Sequence, residues 1–316
     1  MKRRQRARRM AYVAVTVVVV VATVIACTRL DLSALVTAAP GWVAVAFVLN
    51  SSSMLLRALA WLGVLRGALP ASGIRAWRVV RATMIGVLGS AVAPGRAGEP
   101  LRTWLVARTI PQRDALATVI GTLLSQTVLN LIALGLLSVL ALGGVLRGRP
   151  LLAMAWPLVV VGAILVLARS ARSGRFARQV KALQAGLAIF RQPRRGAAVT
   201  TLQLSAWGLQ TLAAYVLLFA LHLHVAAPLA TAAAILIAVN VTAAVPLTPS
   251  NLGIFQAACV GILAGAGIGS GPGLAYGLLL QATEIVTALA LGLPAAAVEF
   301  VVSGGRAGGG AATTQR

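Results

Sequence analysis

The chain is short of charge, and shortest of acid. Only 10% of its residues are Asp, Glu, Lys or Arg, and five of the 316 are acidic. A soluble domain carries about a quarter charged residues, so no segment here is mixed enough in polarity to build a hydrophilic catalytic domain. Cys27 and Cys259 are the only cysteines, and His222 and His224 the only histidines. There is no CxxC pair, and an HLH spacing puts the imidazoles on opposite sides of a helix. The sequence therefore predicts no metal centre, no redox centre and no cofactor. A GxxxxGK[ST] loop is also missing, so ATP-driven transport by this chain alone is not supported. Glu99 and Glu284 stand without a nucleophile or a metal near them in sequence, too little for a membrane enzyme.

What the chain does have is apolar length. Hydrophobic residues make up 59%, in runs near the roughly 20 residues that cross a bilayer. The reading is an all-α polytopic membrane protein. A net charge of +23 would suggest nucleic acid in a soluble protein. Here the arginines flank spans and set topology instead, with some attraction to anionic lipid headgroups.

Residues 1–9 form a basic cytoplasmic head. Residues 10–302 form the transmembrane domain, with halves at about 10–146 and 151–302. Residues 303–316 read as a disordered, Gly-rich tail. The run Met10–Ala26 is a retained first span; a signal peptide with lipidation at Cys27 is the alternative. Further spans are expected at 41–65, 115–146, 151–168, 197–221 and 274–298. An interfacial helix is expected over 71–81, with Ile74, Trp77 and Val80 on one side, and an amphipathic helix over 174–190. Arg57 either snorkels to the inner surface or faces the interior.

Two apolar stretches are spoiled in the middle. Ala82–Arg108 contains Pro94, Gly95, Arg96, Gly98, Glu99, Pro100 and Arg102, and 229–268 contains PLTPSNLG at 246–253. Proline removes a backbone donor and clashes with the preceding turn. Non-helical backbone at membrane depth survives only where protein buries it or a wet cavity meets it. Read as re-entrant hairpins, the two leave six full spans; crossing fully, they would give eight. With six spans and the N-terminus inside, three of the 28 Lys and Arg (Arg29, Arg147, Arg149) lie outside and three (Arg57, Arg96, Arg102) in embedded parts. All others fall inside. Each half is then three spans and a hairpin. The odd number inverts the second half, and paired broken segments in an inverted repeat point to a transporter-type midplane site. Both termini would be cytoplasmic, in a plasma membrane.

APGRAGEPLR resembles the first signature of the flippase-like family that includes the transmembrane region of lysylphosphatidylglycerol synthases, Pro-x-x-x-Gly-[Asp/Glu]-x-x-Arg. Pro94, Gly98, Glu99 and Arg102 match it. PLTPSNLGIFQAA resembles the second signature, through Pro249, Gly253, Ile254 and Phe255. Gln256 stands where that family usually has Glu. The resemblance implies an integral membrane protein that moves, or helps to move, lipid-linked molecules across a bilayer. The chain ends at Arg316, so it also implies a protein without the synthases' soluble aminoacyl-transfer domain.

The chemistry of such a site follows from the residue types. Arg96 and Arg102 suit a phosphate, since guanidinium pairs it through two parallel bonds. Glu99 suits a headgroup amine, though it also lies one turn from Arg102 and can neutralise it. Asn251 and Gln256 offer a second wall. Glu284, deep in the last span, is a candidate with Arg57 or Arg102 as partner. Pro94, Gly95, Gly98, Pro249 and Gly253 shape the backbone. The expected partners are membrane lipids: an anionic or aminoacylated phospholipid or a polyprenyl-linked lipid. The alternative is a non-transporting accessory subunit of a membrane synthase or glycosyltransferase, recruited through the basic loop at 169–195.

Overall fold

The structure is a computed structural model that describes residues 33–92, 98–112, 115–145, 187–243 and 251–311. Among these, all regular structure is helical. The helices are α1 (Ser33–Val36), α2 (Pro40–Ala68), α3 (Ala76–Val92), α4 (Gly98–Ala107), α5 (Ala115–Val145), α6 (Pro193–Ala220), α7 (Pro228–Ala243), α8 (Ile254–Gly265) and α9 (Ser270–Ala311), with short 3-10 turns at Pro70–Ser72 and Leu187–Arg191. Helices α2 and α6 start at proline, whose fixed φ and missing N–H cost nothing in a first turn. Four helices are long and apolar enough to cross a membrane: Pro40–Ala68, Ala115–Ala141, Pro193–Ala220 and Ser270–Val302. They coincide with four of the expected spans. The expected spans at 10–26 and 151–168 lie outside the described residues, as do Cys27, Pro94, Gly95, Arg96 and Pro249.

Each spoiled stretch is a helix, a break and a shorter helix: α3 and α4 in the first, α7 and α8 in the second. If α2–α5 are equated in order with α6–α9, the packing is unchanged by the exchange. The pairs α2–α3 and α6–α7, α3–α4 and α7–α8, α4–α5 and α8–α9, and α2–α5 and α6–α9 all form. So do the crosswise pairs, α3–α9 with α5–α7 and α2–α9 with α5–α6. The pair that maps onto itself, α2–α6, is the most extensive. It runs antiparallel. The Ala39 amide donates to the Ala220 carbonyl at one end (2.8 Å). Ser53 Oγ donates to the Ala206 carbonyl in the middle (2.7 Å), and Gln192 Nε2 to the Gly67 carbonyl at the other end (3.4 Å). Equivalent helices that run in opposite directions are what an inverted repeat requires.

Among the described residues, the ends of the bundle differ in charge. Glu299, in the C-terminal third of α9, accepts Arg81 Nη2 at 2.7 Å and also pairs with Arg108. Arg81 is near the start of α3 and Arg108 just follows α4, so the first hairpin leaves by the end it enters. That end also carries Arg66, Arg75 and Arg78. Through the Gln192–Gly67 contact it carries Arg191, Arg194 and Arg195 as well. At the opposite end Leu223, Val225 and Ile268, which flank the second hairpin, pack against the same core cluster as Ala34, Leu35 and Ala38. The segments 33–40, 221–228 and 265–270 there contain no Lys or Arg. The two hairpins thus open at opposite ends.

Three local expectations differ from what is observed. No separate interfacial helix spans 71–81. Gly73 in the left-handed region (φ 60°) ends the 3-10 turn, and α3 then runs unbroken through Arg81, because nothing between Ala76 and Val92 stops a helix. Ile74 and Val79 are buried while Trp77 is 45% exposed, so its buried stripe is not the expected one. In the expected 174–190 helix, the part within the described residues begins a 3-10 turn at Leu187. Helical backbone also continues past Ser303 to Ala311, since glycine weakens a helix without blocking its hydrogen bonds.

Candidate functional site

The arms of the first hairpin cross backbone to backbone. A Cβ on Gly98 would lie 1.7 Å from the Gly86 carbonyl oxygen and 2.4 Å from Ser90 Oγ; one on Gly86 would lie 2.9 Å from Arg102 Cβ. Only glycine fits at Gly98 without moving the two backbones apart. The crossing sets the first turn of α4 against α3, and that turn holds Glu99 and Arg102. Arg102 Nε and Nη2 donate to Glu99 Oε2 at 2.9 and 2.5 Å, and Nη2 also donates to Gln126 Oε1 on α5 at 2.9 Å. The guanidinium lies 4.6 Å from the centre of the Trp61 ring on α2. The indole N–H of Trp61 in turn donates to Thr122 Oγ1 at 3.0 Å. The Arg102 side chain is 13% exposed and that of Glu99 45%. The arginine is therefore held by the fold while the carboxylate faces open space.

Arg57 faces the interior and does not snorkel. It donates through Nη2 to Gln210 Oε1 on α6, and its guanidinium lies 4.5 Å from the Trp207 ring centre. Gln210 Nε2 donates to Glu284 Oε1 on α9 at 3.4 Å. Gln210 thus stands between Glu284 and Arg57, one of the two arginines named for it from the sequence. Trp207 is oriented by Asn130 Oδ1, which accepts both its indole N–H (3.0 Å) and Gln203 Nε2 (2.6 Å). Arg57 is within Coulombic reach of both Glu284 and Arg102.

Gln281, Glu284 and Thr287 follow one another at helical spacing of three on α9, which puts them on one face. Each is reached from a different helix: Gln281 Oε1 by Gln256 Nε2 on α8, Glu284 by Gln210, and Thr287 Oγ1 by Asn50 Nδ2 on α2 at 3.1 Å. Gln256 also closes its own helix start, its Oε1 accepting the Gly253 N–H at 2.6 Å. Gly253 has φ 83° and Asn251 φ 57°, so the turn before α8 needs residues that tolerate the left-handed region. The structure brings together Glu99 and Arg102, and separately Gln256 and Glu284 through the α9 face. Asn251 is half-buried at the α8 turn and takes no part in these contacts.

Gln126, Gln210, Trp61, Trp207 and Glu299 had no role in the sequence reading. Glutamine is costly in apolar surroundings unless bonded. Gln126 and Gln210 inside otherwise apolar runs were the signal that could have found them. Glu299 had a simpler one, as one of only five acids in the chain.

No curated protein matches the chain at a significant level. A protein family does: the family described as "Lysylphosphatidylglycerol synthase TM region" matches residues 11–292, covering both hairpins, all the interior charged residues and nearly the whole chain. The matched region is the membrane part of those synthases, in keeping with a site built from hydrogen bonds and ion pairs. The chain belongs to the lysylphosphatidylglycerol synthase transmembrane-region family.

Proposed function

We propose that this protein moves the polar headgroup of a phospholipid or other lipid-linked molecule between leaflets. One observation carries the reading. Two broken hairpins, opening at opposite ends, flank an interior that holds Arg57, Arg102 and Glu284, with the more exposed Glu99 paired to Arg102. Each such charge costs about 2.5–3.5 kcal/mol at a bilayer centre on insertion scales, and stability alone does not require them. A headgroup does require them, since its phosphate and amine lose their water in transit.

Arg102 takes the phosphate, because Trp61 and Gln126 already hold its guanidinium in one orientation. The phosphate displaces the Glu99 carboxylate. Glu99, the more exposed partner, is then free for an amine on a zwitterionic or aminoacylated headgroup. Arg96, between α3 and α4 in sequence, adds a second cation, and Asn251 and Gln256 serve the second hairpin's side. The basic end of the bundle faces the cytoplasm by the positive-inside rule, so the first hairpin samples the inner leaflet of the plasma membrane and the second the outer.

The test is leaflet exchange of headgroup-labelled lipids in vesicles reconstituted with the full chain, using anionic, aminoacylated and polyprenyl-linked lipids in turn. Faster exchange than in empty vesicles for at least one class, lost in Arg102→Ala, is expected. No acceleration for any class refutes transport. Co-purification of the chain with a synthase or glycosyltransferase, together with full function of Glu99→Ala and Arg102→Ala, points to an accessory subunit instead.

A further inference from the structure

The interior holds two clusters of the same make-up. In the first, Arg102 lies on Trp61, donates to the side-chain oxygen of Gln126 and is paired with Glu99. In the second, Arg57 lies on Trp207, donates to the side-chain oxygen of Gln210, and Gln210 leads to Glu284. Arginine, tryptophan, glutamine and glutamate recur, drawn from different helices. The difference between them is in the pairing. Arg102 has a carboxylate on two of its nitrogens. Among the described residues Arg57 has none in direct contact, and its Nε is buried with no hydrogen-bond partner.

A buried arginine N–H without an acceptor costs more than an ordinary hydrogen bond returns. An oxygen anion in front of Arg57 would satisfy it. Trp207 fixes the plane of the guanidinium, as Trp61 does for Arg102, and a fixed plane favours two-point binding of phosphate. Glu284, one glutamine away, holds the local charge near zero without occupying the guanidinium. From these observations we infer that Arg57, with Trp207 and Gln210, is a second anion station, which accepts a lipid phosphodiester after Arg102 and hands it toward the second hairpin. The inference rests on the transport reading for its direction of travel, but the station itself is a binding claim.

The two are separable by experiment. The purified full chain is titrated with dihexanoylphosphatidylglycerol, a soluble lipid with a single phosphodiester, while tryptophan fluorescence is followed. The difference from Trp207→Phe gives the share of that ring. The probe is expected to change the Trp207 share. Arg57→Gln removes that change and weakens binding about tenfold, the loss of one charge-assisted contact, and Arg57→Lys recovers part of it. Glu284→Gln keeps the shape and removes the competing charge, so it tightens binding several-fold, a gain that a damaged fold cannot produce. If wild-type protein does not bind the probe, if its Trp207 share never responds, or if Arg57→Gln and Glu284→Gln both bind as wild type does, the station does not exist. If the station responds as expected but reconstituted wild-type protein moves no lipid, the transport reading fails and the station stands.

Discussion

The crossing of α3 and α4 gives the sharpest mechanical prediction. A methyl at Gly98 meets the Gly86 carbonyl oxygen at 1.7 Å and its carbon at 2.7 Å. Both are backbone atoms, so no rotamer change relieves the clash. The arms must part by more than an ångström, and overpacking of this kind costs about 1–3 kcal/mol. Gly86→Ala meets Arg102 Cβ and the Gly98 carbonyl oxygen at 2.9 Å, a milder conflict, and Gly89→Ala meets Gly98 Cα at 3.3 Å, milder again. Gly208 and Gly261 have nothing within 4 Å of the added carbon. There alanine gains up to about 1 kcal/mol of helix propensity. The expected order of apparent melting temperature in detergent is therefore Gly208→Ala and Gly261→Ala at or above wild type, then Gly89→Ala, Gly86→Ala and Gly98→Ala. The last should fall by several degrees, at about 2–4 °C per kcal/mol for a domain of this order of size. Gly98→Ala should also weaken Arg102-dependent lipid exchange, because displacing α4 carries Arg102 away from Trp61 and Gln126. A Gly98→Ala protein as stable as Gly208→Ala would refute the crossing.

Three further outcomes are expected. Glu299→Gln removes the carboxylate shared by Arg81 and Arg108; charge-assisted bonds to a mostly buried group contribute about 1.5–3 kcal/mol, so the melting temperature should drop, and less so in an Arg108→Gln background. Equal drops in both backgrounds would show that the pair does not couple. Gln256→Leu removes the side-chain acceptor of the Gly253 N–H and the bond to Gln281, at about 1–3 kcal/mol for lost buried hydrogen bonds; a melting temperature unchanged from wild type would mean that these bonds do not form. In a background lacking Cys27 and Cys259, impermeant maleimide applied to intact cells should label Ser270→Cys but not Ser72→Cys. Labelling of both would place both ends of the bundle on one side.

Four of the spans, and the division of each spoiled stretch into two helices, were legible in the sequence because their causes are local: an apolar run of sufficient length, a proline, a glycine pair. The arginine distribution, a global property of composition, is what pointed to an inverted relation of the halves, and the exchangeable packing of α2–α5 with α6–α9 agrees with it. Pairings were not. Whether Arg57 snorkels or turns inward depends on Gln210 and Trp207, 150 or more residues away, and no helical periodicity within 41–65 contains that information. The Glu99–Arg102 pair was visible as a spacing of three, but the reason Arg102 is held still, a ring on α2 and an amide on α5, was not. The expected helix at 71–81 failed because an amphipathic pattern ending at Arg81 meets an apolar helix with no stop signal between them, and the two become one.

The crosswise packing bears on where the protein can be divided. The first hairpin leans on α9 as well as on α2 and α5, and the second on α5 as well as on α6 and α9, so each half lacks part of the wall against which its own hairpin rests. A gene for one half would have to insert its product in both directions, each copy completing the other. The single chain fuses that arrangement and fixes the stoichiometry at one to one. Cutting it between 146 and 186 gives two fragments rather than two modules, and function would return only through their reassembly.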